Sequence, residues 1–212
     1  MMTKKLLSII NGIYQSSIPF IYKDIDGAWS TKLPKNLLIL SGSFNPFHEG
    51  HLGMMKKGKN ITKLLPVYEI SVLNVDKPSL SIKDLFGRLD TFPNKSRVLI
   101  TASPRFNEKS VLFPNSKFLI GYDTALRLLD SKYYSDFVDI NNKNIVLNAL
   151  EVIRENKCSF IVAGRIDKVG KFRSIADLEI DPSYKQLFSG IPEKSFRFDI
   201  SSTEIRGNVI WL

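Results

Sequence analysis

Two histidines, His48 and His51, are the only histidines in the 212-residue chain. The apolar run 37–40 predicts a buried strand, residues 41–43 form a small-residue turn, and a helix is expected from near Glu49. Residues three apart on a helix share a face, so both imidazoles can act at one point. The turn and the helix N-terminus favour an anion, and the imidazoles could stabilise a phosphoryl group during transfer. For two isolated histidines, a metal pair or two surface histidines would be the favoured interpretation; the turn in front of them favours the phosphoryl site.

A second anion-binding pattern lies near the end of the sequence. Ser201, Ser202 and Thr203 open a predicted helix, where hydroxyls and unpaired backbone N–H groups come together. Arg206 lies one turn further on, and its planar guanidinium can bind phosphate oxygens in pairs. By itself this stretch could also be a capped helix with an exposed arginine.

Together the two stretches resemble a known family. Residues 42–51 read Gly-Ser-Phe-Asn-Pro-Phe-His-Glu-Gly-His and resemble the G-x-F-x-P-x-H-x-G-H signature of the nucleotidyltransferase superfamily. Residues 200–206 resemble its second signature, I-S-S-T-x-I-R. The resemblance spans residues 36–206 and is greatest to the nicotinamide or nicotinate mononucleotide adenylyltransferases and their cytidylyltransferase-like relatives.

The resemblance implies a reaction and a set of site residues. AMP would pass from ATP to nicotinamide or nicotinate mononucleotide by direct in-line attack, with release of pyrophosphate. His48, His51 and Arg206 would be catalytic, and Mg²⁺ would arrive with the nucleotide rather than in a protein metal site, because the motifs hold few carboxylates. The expected nucleotide-binding residues are Gly42, Ser43, Phe44, Asn45, Gly121, Asp123, Arg165, Ser201, Ser202 and Thr203.

Loops that follow predicted strands supply the remaining candidates, because ligands bind at the carboxyl ends of strands in open α/β sheets. Asn74 and Lys77 are the substrate-binding candidates, and Lys77 would bind a substrate phosphate. A lysine in a plain surface turn is an equal alternative. Asp123 could accept from a ribose hydroxyl, or cap the helix predicted over 124–129. Arg165 resembles the family's arginine near the nucleotide, and a surface arginine is the alternative.

The order of elements predicts a Rossmann-like, doubly wound parallel sheet with an N-terminal helical extension. Residues 1–35 are interpreted as an N-terminal helix, Lys4–Tyr14, followed by an irregular linker, and residues 36–212 as the nucleotidyltransferase domain. Further strands are predicted at 67–73, 97–101, 117–120, 159–163 and 195–199. Further helices are predicted after Ser81 and at 104–113, 141–155 and 183–188, with 170–192 otherwise irregular.

Composition limits the partners. Lysine and arginine number 30 against 21 acidic residues, a formal charge of +9. We assign this charge to binding of anionic nucleotides, because no recognition element for nucleic acid is visible.

No apolar run approaches the ~20 residues of a membrane span. Cys158 is the single cysteine, which excludes an internal disulfide and fits the cytoplasm; it is expected to be a buried small hydrophobe. A homo-oligomer is possible.

Two other functions compete with the adenylyltransferase. One is a transferase of the same fold that uses CTP or another acceptor. The other is a nucleotide-binding protein without turnover.

Overall fold

Helices and strands alternate along most of the chain in the computed structural model, which describes residues 4–75, 78–134 and 144–196. The helices are α1 (Lys4–Tyr14), α2 (Glu49–Thr62), α3 (Ile82–Leu89), α4 (Phe106–Leu112), α5 (Tyr122–Leu128) and α6 (Ile145–Glu155). The strands are β1 (Phe20–Lys23), β2 (Trp29–Ser30), β3 (Leu37–Ser41), β4 (Leu65–Ser71), β5 (Val98–Thr101), β6 (Lys117–Gly121), β7 (Ser159–Ala163), β8 (Arg165–Ile166), β9 (Phe172–Arg173) and β10 (Phe188–Ile191).

One eight-stranded sheet organises these elements, in the order β10-β7-β6-β3-β4-β5-β1-β2. The strands from β10 to β5 pair in parallel, whereas β1 pairs antiparallel with β5 and β2 antiparallel with β1. The chain builds outward from β3 through β4 to β5, and from β6 through β7 to β10 on the other side. The predicted doubly wound sheet with an N-terminal helix is therefore confirmed, with two antiparallel strands added.

Helices cover both faces of the sheet, which explains why β3 is a continuous apolar run. Leu38 and Leu40 pack in one core cluster with residues of α1, α2 and α3, and the alternate residues Leu37 and Ile39 pack in a second cluster with residues of α4, α5 and α6. Helix α2 lies close to the sheet at Gly58, where an added Cβ would approach the Leu119 side chain to 2.8 Å. A larger residue at this position would force the Leu119 and Leu38 side chains or the helix to shift.

The border between β3 and β6 is the point where the strand order reverses. Sheets of this kind open a crevice at such a point, beyond the carboxyl ends of the strands. Strand β3 ends at Ser41 and β6 ends at Gly121. The turn that carries the first motif thus lies beside the crevice.

The prediction that residues 15–35 are irregular is wrong in part, because this segment contains β1 and β2. Ile21 is fully buried and pairs in register with Ile100 of β5. Such a short strand is stabilised mainly by its non-local partner, and this partner is not visible in local sequence. The domain boundary after residue 35 stays a prediction.

The region 170–192 also holds more structure than predicted. Strand β10 extends the sheet, β9 pairs with β8 in a small hairpin, and the short helix is a 3-10 helix at Pro182–Leu187. At the predicted strand 195–199, Ser195 ends a 3-10 turn, Glu193–Ser195, and Phe196 is irregular; residues 197–199 lie outside the described ranges.

Most other predicted elements are present, and some of them begin or end at different residues. Strand β7 matches its predicted bounds, β4 begins and ends two residues early, and α4 is shorter at both ends. Helix α3 is capped by Ser81, whose side chain accepts from the Asp84 N–H, as predicted. Within residues 4–75, 78–134 and 144–196, no helix has the length and apolar character to cross a membrane.

Candidate active site

The turn after β3 is held from two sides before α2 begins. The Gly42 N–H donates to the Glu69 carbonyl of β4 at 3.0 Å. From α3, the Arg88 guanidinium donates to the Ser43 carbonyl at 2.8 Å. His48 is the N-cap residue of α2, so the helix starts at Glu49 as predicted. The backbone that presents the histidines is therefore fixed at both ends.

The two imidazole rings lie against each other, with ring centroids 3.8 Å apart. The His51 Nδ1 accepts from the His48 N–H, and the His48 Nδ1 accepts from the Gly50 N–H, both at 3.2 Å. Each accepting Nδ1 needs a lone pair, so the neutral ring carries its proton on Nε2. The expectation that both histidines share one face is confirmed, and each offers an Nε2–H donor.

Burial keeps these rings uncharged. It lowers the pKa of His51 to about 3, with a smaller contribution from the neighbouring His48. Burial also lowers the pKa of His48. Because a charged imidazole is disfavoured in this setting, His51 is neutral near pH 7. It can stabilise a phosphate oxygen by hydrogen bonding without adding a full charge.

Aromatic rings of the core pack against the His51 ring. The ring of Phe44 is fully buried, 4.8 Å from the His51 ring and 5.0 Å from Phe92. Phe44 has φ of 42°, a left-handed conformation that costs a non-glycine residue ~1–2 kcal/mol. Packing of its ring offsets this cost. With its side chain in the core, Phe44 can meet a nucleotide only through its backbone.

A cavity of about 410 Å³ opens in front of the histidines, and we name it the histidine cavity. It lies between the motif turn, the start of α2 and the ends of β6 and β7. Asn45 and Phe44, both predicted to bind nucleotide, are not among its lining residues. The predicted site residues that do line it are Gly42, Ser43, His48, His51, Gly121, Asp123 and Arg165.

Asp123 and Arg165 form an ion pair at this cavity, with side chains 57% and 42% exposed. The alternative in which Asp123 only caps its helix is wrong. Gly121 is the N-cap residue, and Asp123 lies in the first turn of α5. Its carboxylate reaches Arg165 instead, across parallel strands that bring both residues to the same edge of the sheet. Their roles toward a nucleotide stay predictions.

A second cavity of about 250 Å³ lies on the other side of the motif turn. We name it the arginine cavity, because Arg88, Arg105 and Arg127 line it. The two cavities share the wall formed by Ser41, Gly42, Ser43 and Thr124. Asn74 lines the arginine cavity and donates to the Pro78 carbonyl at 3.4 Å.

A buried ion pair lines the arginine cavity, and sequence reasoning missed it. The Lys109 ammonium lies 2.7 Å from Glu69 Oε2, with side chains 6% and 0% exposed. The Thr101 hydroxyl donates to the other carboxylate oxygen at 2.6 Å. The ammonium also lies 5.1 Å from the centroid of the Phe106 ring. The available signal was an acidic residue within the apolar strand predicted at 67–73.

Comparison with known proteins decides the family. Residues 39–208 match the model of the family described as cytidylyltransferase-like, a range that includes both motifs. The chain belongs to the cytidylyltransferase-like nucleotidyltransferases. A protein of Schizosaccharomyces pombe (strain 972 / ATCC 24843) described as a "putative nicotinamide mononucleotide adenylyltransferase" is 31% identical over 193 residues, covering 82% of this chain and 71% of that protein.

Several predicted site residues of this nucleotidyltransferase lie outside the described residues. They are Lys77, Ser201, Ser202, Thr203 and Arg206. Within the described part of the chain, no group of three His, Cys, Asp or Glu side chains could hold a metal ion. Cys158 is buried as expected, and burial raises the pKa of its thiol, which disfavours a nucleophilic thiolate.

Proposed function

We propose that this nucleotidyltransferase moves AMP from Mg-ATP to nicotinamide or nicotinate mononucleotide and releases pyrophosphate. The observation that carries the proposal is the shared wall at Gly42 and Ser43, with paired neutral imidazoles on one side and three arginines on the other. Two phosphate-bearing substrates can thus approach one turn from opposite sides. The name of the fission-yeast relative supports the choice of AMP and of the acceptor.

The reaction needs positioning rather than covalent catalysis. An acceptor phosphate oxygen forms a bond to the α-phosphorus of ATP, while the bond from that phosphorus to the bridging oxygen breaks and pyrophosphate leaves. Holding both reactants at one wall lowers the entropic part of the barrier. The Nε2–H groups of His48 and His51 would donate to oxygens on which charge develops.

The second motif would hold the leaving group. By resemblance, Ser201, Ser202, Thr203 and Arg206 would bind the β and γ phosphates, and Asp123 would accept from a ribose hydroxyl. The exposed pair with Arg165 does not prevent this, because a surface ion pair contributes only ~0–1 kcal/mol. Mg²⁺ belongs to the nucleotide substrate, which agrees with its preference for phosphate oxygens.

The decisive experiment is a pyrophosphate-release screen with Mg²⁺. ATP and CTP, each at saturation, are tested against nicotinamide mononucleotide, nicotinate mononucleotide and a panel of other phosphorylated acceptors. We expect turnover with ATP and a pyridine mononucleotide. Turnover with CTP, or with another acceptor alone, would instead identify a transferase of the same fold with different substrates. A rise in melting temperature with Mg-nucleotide but no turnover with any acceptor would support the non-catalytic alternative.

A further inference from the structure

The ion pair between Glu69 and Lys109 is costly for the core. Both side chains are almost completely removed from water, and a buried ion pair is often no more stable than apolar residues of similar volume. Glu69 lies in β4 and Lys109 in α4, and both line the arginine cavity. Since stability alone does not require the pair, its position at the wall of a cavity suggests a role toward a ligand.

Two serines lie beside this pair, because Ser41 is in register with Glu69 across β3 and β4 and Ser71 follows Glu69 by two residues in β4. An ammonium has three N–H donors, and within the described part of the chain the Lys109 ammonium gives one to Glu69. The hydroxyl oxygens of Ser41 and Ser71 are buried and have no hydrogen-bond partner among the described residues. Both serines line the arginine cavity. Buried polar groups are nearly always paired, so a polar ligand group suits this wall and an apolar one does not.

Two kinds of charged group line the cavity, an ion pair and three arginines. The formal charges of Glu69 and Lys109 cancel, so the part of the wall beside the two serines offers hydrogen bonds without net charge. Arg88, Arg105 and Arg127 also line the cavity and favour a phosphate. A carboxylate placed against the Glu69–Lys109 pair would add an uncompensated negative charge to a buried site. A carboxamide would not.

We propose that Glu69, Lys109 and Ser71 determine specificity for the acceptor, selecting a ring that carries a neutral carboxamide over one that carries a carboxylate. The proposal rests on the proposed function, because it assigns the acceptor to the arginine cavity. Glu69 acts by neutralising Lys109, and the ammonium and the serine hydroxyl make the contacts. Selectivity then depends on the charge balance of the pair rather than on the shape of the cavity alone.

The test compares nicotinamide mononucleotide with nicotinate mononucleotide, through kcat/KM with Mg-ATP. The wild type is expected to favour the carboxamide by about tenfold or more, the scale of one mismatched charged hydrogen bond. Glu69→Gln leaves the lysine charge uncompensated and should shift the ratio toward the carboxylate by a similar factor. The double variant Glu69→Gln with Lys109→Gln restores a neutral wall and should return the preference to the carboxamide.

A milder pair of variants tests the same assignment without disturbing the ion pair. Ser71→Ala should raise KM for the carboxamide acceptor about 3–10-fold, the scale of one neutral hydrogen bond, while the Kd of ATP is unchanged. Ser189→Ala is the matched control, because its hydroxyl donates to the Phe160 carbonyl and the residue lines neither cavity. If Glu69→Gln does not fold, this comparison decides.

The outcomes separate the two proposals. Turnover with an unchanged acceptor ratio in Glu69→Gln, or Ser71→Ala that behaves like Ser189→Ala, would overturn the specificity assignment and leave the adenylyltransferase intact. A wild type that neither binds nor turns over either mononucleotide would overturn both. A ratio that reverses in the single variant and recovers in the double variant would establish the assignment.

Discussion

The two cavities on either side of the motif turn each contain an ion pair, and the two pairs differ in almost every physical respect. Arg165 and Asp123 meet at the histidine cavity, where both remain about half exposed. Lys109 and Glu69 meet at the arginine cavity almost without solvent. Water screens the first pair, so it can open for a ligand at little cost. The Lys109–Glu69 pair is shielded from water, so a group that binds beside it is favoured when it adds no net charge.

The sharpest test of this comparison is to remove one carboxylate from each pair. Glu69→Ala should lower the free energy of unfolding by ~3–5 kcal/mol, because it leaves the Lys109 charge buried without its partner. Asp123→Ala is the matched control and should cost no more than ~1 kcal/mol. Urea unfolding at pH 7 measures both. Equal losses for the two variants would mean that burial does not distinguish the pairs.

The second test concerns the neutral His51 ring at the histidine cavity. His51→Ala should lower kcat by ~10²–10³, the scale of losing one preorganised donor in the transition state. The Kd of ATP should change much less. Asn60→Ala, at an exposed position of the same helix, is the control and should turn over normally. Wild-type turnover by His51→Ala would remove the catalytic role from this cavity.

The third test uses pH. The pKa of His51 is about 3 in the folded protein, against an ordinary value of 6.5, so between these values the unfolded chain binds more protons. The stability from the neutral ring is complete above pH 6.5 and is lost as the pH falls toward 3. From pH 7.5 to pH 5 the loss should be ~2 kcal/mol. His51→Asn should lack this part of the loss in parallel urea titrations. Identical pH profiles would contradict the assigned burial.

Local sequence signals were sufficient for the central strands and the histidine cavity. Strands β3 and β7 are apolar runs buried on both faces, and the Ser81 cap and the start of α2 follow from the hydrogen-bonding needs of a helix N-terminus. The two histidines came together because His48 caps α2 and the Nδ1 of His51, three residues further on, accepts from the His48 N–H. Each of these features depends on residues close together in the chain.

The features that depend on distant residues were missed. Strand β1 needs β5, the ion pair joins β4 to α4, and Asp123 pairs with Arg165, which lies some 40 residues further along the chain. A glutamate in an apolar strand signalled a partner, but no local pattern identified Lys109. For this reason, the predicted site residues at the arginine cavity are only Asn74 and the Gly42 and Ser43 of the shared wall, among the described residues.

The pairing of β1 with β5 has a consequence for how the chain is made. Phe20 lies opposite Thr101, so β1 must wait for some 80 further residues before its partner strand exists. Until then β1 has no neighbouring strand of the parallel sheet to pair with. In the finished protein, β1 and the two-residue β2 cover the edge of β5, which would otherwise present a row of unpaired backbone groups to other chains. Because β1 and β2 are already made when β5 emerges, the cover for this edge is available as soon as the edge itself forms.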